Sequence, residues 1–352
     1  MGGRTAKTSS LAALALAGCG VAFEPPWVLD EARVLAVRID VVEEGPWSQG
    51  LLPIPADRVR HEPLPMDTVS IEAIIADADG LVDTAALAPR WFRCDPTFGP
   101  CFSLLREPDE GQPCTDVLPP ETSCWVGDGA RVEWTVPPLT DEVPFEQQVA
   151  HRFAMVSGRP GVRSTEDCLA ELAEPYYTAL DECILAYAPM LIGPIGGLSV
   201  AADALGIDPP GAFDRTGGTL DGSFQPNFHP ALVQVLLQDP LSGESWRVPE
   251  SGTVQLPAHA EIWIVDVGDP RDRQTRAYVE ALGEEILVGY GTENFSELYF
   301  VTAPGDVLRT ITDLYTTIYT DAPGETFELF VVLSDRRGSQ TVGSIRIEVV
   351  AE

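Results

Sequence analysis

The run TVSIEAIIAD, residues 68–77, decides the fold class. Val69, Ile71, Ala73 and Ile75 alternate with Thr68, Ser70 and Glu72, so a period of two puts the apolar side chains on one face. Asp79-Gly80 follows as a turn signal. The last stretch, SIRIEVV at 344–350, repeats the pattern, with Ile345, Ile347 and Val349 facing inward and Arg346 and Glu348 outward. A tight Asp335-Arg336-Arg337-Gly338 hairpin turn precedes it. Working outward, Val34, Val37 and Ile39 open a first strand. A loop with Pro46, Pro53, Pro55, Pro63 and Pro65 separates it from the second. Further strands are expected at 90–94, 132–136, 147–156, 231–237, 254–256, 261–267, 285–289, 297–302 and 326–334.

The two halves run in parallel order. RVLAVRI from Arg33 matches PALVQVLL from Pro230, and TVSIEAIIADADG from Thr68 matches AEIWIVDVGDPRD from Ala260. RWFRCDPT from Arg90 matches ELYFVTAPGD from Glu297, and QQVAHRFAMVSG from Gln147 matches TFELFVVLSD from Thr326. Short strands with turn signals between them predict two immunoglobulin-like antiparallel β-sandwiches, in a chain that is mainly β. Trp91 stands where such sandwiches bury an aromatic, and Tyr299 is its counterpart.

A helical section separates the halves. Ser164-Thr165-Glu166-Asp167 fits a capping box. Leu169, Leu172, Tyr176, Leu180 and Ile184 follow at helical spacing, with Pro175 as a kink. One straight helix would hold Cys168 and Cys183 about 22 Å apart, beyond the disulfide limit of about 7 Å. If they pair, the segment folds back near Glu174-Pro175 as a stapled helical hairpin. Residues 184–202 carry no charge. That length just spans a bilayer, but Pro189, Gly193, Pro194, Gly196 and Gly197 interrupt it. The favoured reading is a buried helix-turn-helix in a groove between the sandwiches. A membrane-dipping element and a partner-docking face are the alternatives.

The beginning of the chain reads as targeting. Arg4 and Lys7 precede an apolar stretch from Leu11 to Ala17. Leu16-Ala17-Gly18-Cys19 then resembles a bacterial lipobox, which implies cleavage before Cys19 and lipidation of that residue. A chance cysteine after an ordinary signal peptide is the competing reading. The expected division is 1–18 signal peptide, 19–32 tether, 33–160 first β-sandwich with Cys-rich loops, 161–210 helical insert, 211–229 linker and 230–352 second β-sandwich.

Net charge is −32 over the whole chain, and losing Arg4 and Lys7 with no acid takes it to −34. Such a surface repels phosphate backbones, which argues against nucleic acid as a partner. Beyond Cys19 there are six cysteines: Cys94, Cys101, Cys114, Cys124, Cys168 and Cys183. An even number suggests three disulfides and an oxidising compartment. Local pairing gives Cys94 with Cys101, Cys114 with Cys124 and Cys168 with Cys183. The nested alternative joins Cys94 to Cys124 and Cys101 to Cys114.

The lipobox, the RVLAVR strand, the D-x-D-G turn, the RWFRC strand and the closing FVVLSDRRG hairpin occur here in that order. Together they resemble lipoproteins of myxobacteria and similar high-GC Gram-negative bacteria that carry immunoglobulin-like domains. The resemblance implies a cell-envelope location, and it carries no catalytic residue across.

Chemistry is sparse. G-x-S-x-G, H-E-x-x-H and G-x-x-x-x-G-K-[ST] are all absent from the sequence. His151 sits in an apolar strand, as a core or edge histidine does, while His61 and His229 are expected in exposed proline-flanked loops. The candidate ligands are acids at strand ends: Asp77 and Asp79, and in the second half Asp266, Asp269 and Asp272. Carboxylates there suit calcium, although the EF-hand spacing is not met and no other cofactor is indicated. The expected role is binding or structural, at the outer membrane on either face, with the lipid in the membrane and other envelope proteins as partners. A hydrolase with a loop-built site and an accessory subunit of an envelope or export complex are the alternatives.

Overall fold

A computed structural model of the chain describes residues 28–50, 53–95, 101–105, 114, 122–138, 150–174, 180–193, 226–232, 234–267, 275–282, 285–292, 296–302, 310–311, 316–320, 322–335 and 338–351. The first half forms β1 (Arg33–Glu43), β2 (Thr68–Asp77), β3 (Gly80–Leu81), β4 (Arg90–Cys94), β5 (Ser123–Asp128), β6 (Arg131–Thr135), β7 (Ala150–Gly158) and β8 (Cys183–Leu191). Its helices are α1 (Cys101–Leu104) and α2 (Thr165–Ala173). The second half forms β9 (Gln234–Gln238), β10 (Ser245–Pro249), β11 (Thr253–Pro257), β12 (Glu261–Val267), β13 (Thr275–Leu282), β14 (Glu285–Thr292), β15 (Ser296–Val301), β16 (Thr310–Ile311), β17 (Thr316–Tyr319), β18 (Thr326–Ser334) and β19 (Gln340–Val350).

In the first sheet β2 lies between β1 and the pair β3 and β6, all antiparallel. The second sheet is antiparallel, in the order β5-β4-β7-β8. The apolar face of β2 works as its alternation requires: Val69, Ile71, Ala73 and Ile75 are buried, and they share one core with Trp91 and Phe153 of the second sheet. The Trp91 indole N–H donates to the Gly129 carbonyl at 3.1 Å, so its polar edge is satisfied.

The third sheet runs β10-β9-β12-β17-β16 and the fourth β11-β19-β18-β15. Within these two sheets only β11 and β19 pair in parallel, among the described residues. Leu237 and Ile264 meet Leu329, Val331, Ile345 and Ile347 in a second core. One strand order underlies both halves, with β1-β2-β6 matching β9-β12-β17 and β4-β7-β8 matching β15-β18-β19. The hairpin β13–β14 stands as its own two-stranded sheet.

The two stacks meet back to back. Leu29, Leu35, Ala36 and Ala76 from one side are buried with Phe330 and Val332 from the other. The free back of the second sheet is covered by the helices, where Phe92, Ala154 and Val156 pack with Cys168 and Leu172. The Ser164 hydroxyl accepts the Asp167 N–H at 3.1 Å and caps α2. All three disulfides pair locally, Cys94–Cys101, Cys114–Cys124 and Cys168–Cys183, and all lie in the first half.

Five expectations are corrected. The stapled segment is not a helical hairpin. The helix α2 stops at Ala173, with Glu174 extended before Pro175, because a residue preceding proline is pushed out of the helical region. Cys183 then opens the strand β8, whose alternating Ile184, Ala186, Ala188 and Met190 complete the first core, so Cys168–Cys183 ties a helix to a strand. The uncharged stretch therefore begins as sheet, not as a helix between the stacks; residues 194–202 lie outside the described set. No described helix is long and apolar enough to cross a membrane.

The tether does not run free to residue 32: Val28 pairs in parallel with Val301, and Leu29 is buried in the junction. The linker ends before residue 229, since Arg60 and Phe228 form a bridge and bury Asn227 and His229. Within the cysteine-rich loops, Ser123–Asp128 is a strand, whose backbone is taken up by pairing with β4.

Two substitutions separate core from surface. Ile71→Ala should cost about 2–5 kcal/mol in urea unfolding, whereas Val42→Ala, at an exposed position, should stay within about 0.5 kcal/mol. Replacing both Cys168 and Cys183 by Ser opens a loop of sequence separation 15 and should lower the unfolding free energy by about 3 kcal/mol.

Candidate functional site

Among the described residues, buried ionisable side chains gather where the proline-rich loop crosses the junction. Gly45 lets the loop begin there, because a Cβ would meet the Met66 backbone at 2.6 Å. Asp67 is fully buried at the loop's end. Its carboxylate accepts from the Gly45 and Leu64 N–H groups, the Ser48 hydroxyl and the Arg60 guanidinium. Arg60 also donates to Glu44 at 3.1 Å and to Ser48 at 2.9 Å. Burial lowers the Arg60 pKa and the neighbouring Glu44 and Glu62 oppose that; a guanidinium stays charged regardless. A buried pair with this many donors is a fixed anchor for the loop.

The anchored loop presents His61 to the junction. His61 Nδ1 lies 3.0 Å from the Ile39 carbonyl. His229 reaches the same carbonyl with Nε2 at 2.9 Å, and that nitrogen is also 2.9 Å from an Asp40 oxygen. The two rings meet edge to face, with centroids 5.0 Å apart. Asp40 further accepts from Arg38 at 2.8 Å. Burial pushes the Asp40 carboxyl up, but hydrogen bonds from His229 and Arg38 outweigh it and hold it below its usual range. On the far side, Asn227 donates its side-chain N–H to Asp335 at 2.7 Å and its backbone N–H to Glu62 at 3.0 Å.

His61 and His229 were expected in exposed loops, yet both are buried, because each proline-flanked segment is roofed by the opposite half. The sequence signal was available in a weak form. R-H-E at 60–62 and N-F-H at 227–229 place several hydrogen-bonding side chains beside an aromatic or a proline, which suits a packed polar seam. His151 is buried against Trp134, with ring centroids 4.8 Å apart, in a cluster where Arg93 lies over the same indole.

Of the acidic candidates, Asp77 and Asp79 share one turn. Asp77 accepts the Asp79 N–H at 2.8 Å and so closes the β2–β3 turn. Asp266 is paired within β12 opposite Leu236, and Asp269 and Asp272 lie outside the described residues. Among the described residues no group of three or more His, Cys, Asp or Glu is arranged to hold a metal. Cys19 also lies outside the described residues. One cleft of about 280 Å³ opens beside the junction, lined by Glu72, Ile75, Val82, Ser251, Phe330 and Ser344 among others. Another, of about 340 Å³, includes Glu31, Arg33, Arg159 and Asp181. No histidine lines either one. Chemically the seam is an arrangement for fixing geometry, in which Asp67, Arg60, Asp40, His229 and Asn227 are each held by the hydrogen bonds named above.

No family model matches the chain, and no curated protein matches it. Among solved structures, the tandem immunoglobulin repeats of Dlar share 9% identity over 83% of this chain and 93% of theirs, with a TM-score of 0.23. A nucleoside hydrolase-related protein of Saccharophagus degradans, associated with carbohydrate metabolism, shares 11% over 56% of this chain and 40% of its own, with a TM-score of 0.22. Superpositions that loose carry no argument about activity.

Asp67→Ala leaves the Arg60 charge buried without its main partner and should cost about 3–5 kcal/mol in chemical denaturation. Asp40, whose pKa is depressed on folding, contributes stability above about pH 4 and loses it as the pH falls through its lowered value. The unfolding free energies of wild type and Asp40→Ala should therefore converge in strong acid.

Proposed function

We propose that this chain is a lipid-anchored protein of the bacterial cell envelope, with a binding or structural role, built from two immunoglobulin-like sandwiches. The observation that carries the reading is the set of three disulfides in a chain whose residues 16–19 read Leu-Ala-Gly-Cys. Such bonds persist outside the reducing cytosol. The strand order supports the immunoglobulin-like assignment. In each half one sheet pairs strands in the order A-B-E, as β1-β2-β6 and β9-β12-β17, and the other in the order C-F-G, as β4-β7-β8 and β15-β18-β19, which is the pairing of those sandwiches.

Lipid at Cys19 would leave nine residues before Val28 is fixed against Val301. Nine extended residues reach roughly 30–32 Å. Both stacks would then stand near the membrane as one body, with the acidic surface turned away from anionic headgroups. The partners that suit this position are the lipid bilayer through the acyl chains and neighbouring envelope proteins, not nucleic acid.

Expression of the full chain in a Gram-negative host with labelled palmitate tests the reading. The expected result is label on the wild-type protein in the membrane fraction, and an unlabelled Cys19→Ser variant in the soluble fraction. Membrane association that survives the substitution would overturn it.

A further inference from the structure

His229 is hydrogen-bonded on both sides. Its Nδ1 accepts the backbone N–H of Gln340 at 3.2 Å, at the start of β19 in the second stack. Its Nε2 faces the Ile39 carbonyl and the Asp40 carboxylate, both in β1 of the first stack. A nitrogen that accepts carries no proton, so the ring in this arrangement is neutral with its hydrogen on Nε2. His61 carries a hydrogen on Nδ1, since that nitrogen faces a carbonyl that can only accept. Gln340 completes the link, as its side-chain oxygen accepts the Val37 N–H at 3.0 Å.

We propose that His229 is an acid-sensitive latch between the two stacks, closed when its imidazole is neutral and released at the Gln340 side when Nδ1 gains a proton. The cation keeps its Nε2–H donor to Asp40 and Ile39. Its new Nδ1–H points at the Gln340 N–H, and two donors cannot bond to each other. Acid therefore separates β19 from His229 while His229 stays on β1. The unpaired amide then loses a buried hydrogen bond.

The charged and titratable groups around the ring are consistent with this polarity. From β1, Asp40 stays ionised and Arg38 is bonded to it. From the 59–62 segment comes His61, edge to face with the ring, while Glu62 and Asp335 are bonded to Asn227, two residues before His229. The carboxylates sit toward Nε2 or around Asn227. Nδ1 meets a backbone donor instead. Glu250, in the turn after β10, lies near Arg38, and burial raises its carboxyl; between about pH 7.5 and 5 the histidines titrate while ordinary carboxylates remain charged, so His229→Asn separates the effect of the ring from that of Glu250.

The test is amide hydrogen exchange of the full lipoprotein in detergent micelles at pH 7.5, 6.0 and 5.0, corrected for intrinsic rates. Protection of the segment containing Gln340 should fall about five- to tenfold by pH 5.0, the size expected for losing one hydrogen bond, while the centre of β18 is unchanged. In His229→Asn the side-chain oxygen can still accept from Gln340 but cannot titrate, and the acid effect should vanish. Unchanged wild-type protection at pH 5.0, or the same acid loss in His229→Asn, would refute the latch. Should that variant not fold, nitrogen NMR of the wild-type imidazoles decides: the Nε2–H tautomer of His229 at pH 7.5 supports it, and the Nδ1–H tautomer or the cation at that pH refutes it.

Discussion

Three of the four stacked sheets are apolar on both faces; helices cover the back of one, and the arrangement of the two stacks depends on burying the second face of the other two. On β18, Leu329, Val331 and Leu333 fill one core while Phe330 and Val332 face the other way, and all five are buried. On β1 and β2 the same division puts Val37, Ile39, Ile71 and Ala73 in a core and leaves Leu35, Ala36 and Ala76 on the back. Exposing such backs to water would cost about 25 cal/mol for each Å² of apolar surface. Packed together they make a third apolar layer between the two cores, and the chain becomes a four-sheet stack instead of two modules on a string.

The polar seam follows from that contact. Once β1 and β19 are side by side, the carbonyl of Ile39 and the amides of Val37 and Gln340 are cut off from water and need partners. His61, His229 and the Gln340 side chain supply them. The proline-rich loop, held by Asp67 and Arg60, is what brings His61 into place. Apolar contact thus sets the orientation, and hydrogen bonding fixes the register. Polar groups that are individually costly to bury make a slipped arrangement worse than the observed one.

The individual strands were legible because alternation is a local signal. The bounds of β2 and β4 coincide with the residues whose pattern announced them. What alternation missed was the meaning of its own failures. I-I-A at 74–76 and F-V-V-L at 330–333 break the period of two, and unbroken apolar runs mark strands buried on both sides. Those runs were the sign of the back-to-back contact. The β8 strand was misjudged for a related reason: its small, uncharged residues fit helix and strand alike, and only the partner β7 makes one of them right. The buried histidines were unreadable for a different reason. Local sequence shows prolines and polar neighbours, while the roof over each loop comes from residues more than one hundred positions away.

The contact between the stacks can be measured directly with a double-mutant cycle on Leu35→Ala and Phe330→Ala, which lie on opposite sides of it. If the two backs share one apolar layer, the unfolding free energies should be non-additive by about 0.5–3 kcal/mol. Strict additivity of the two losses would mean that the stacks do not touch there, and the account of a single four-sheet body would fail.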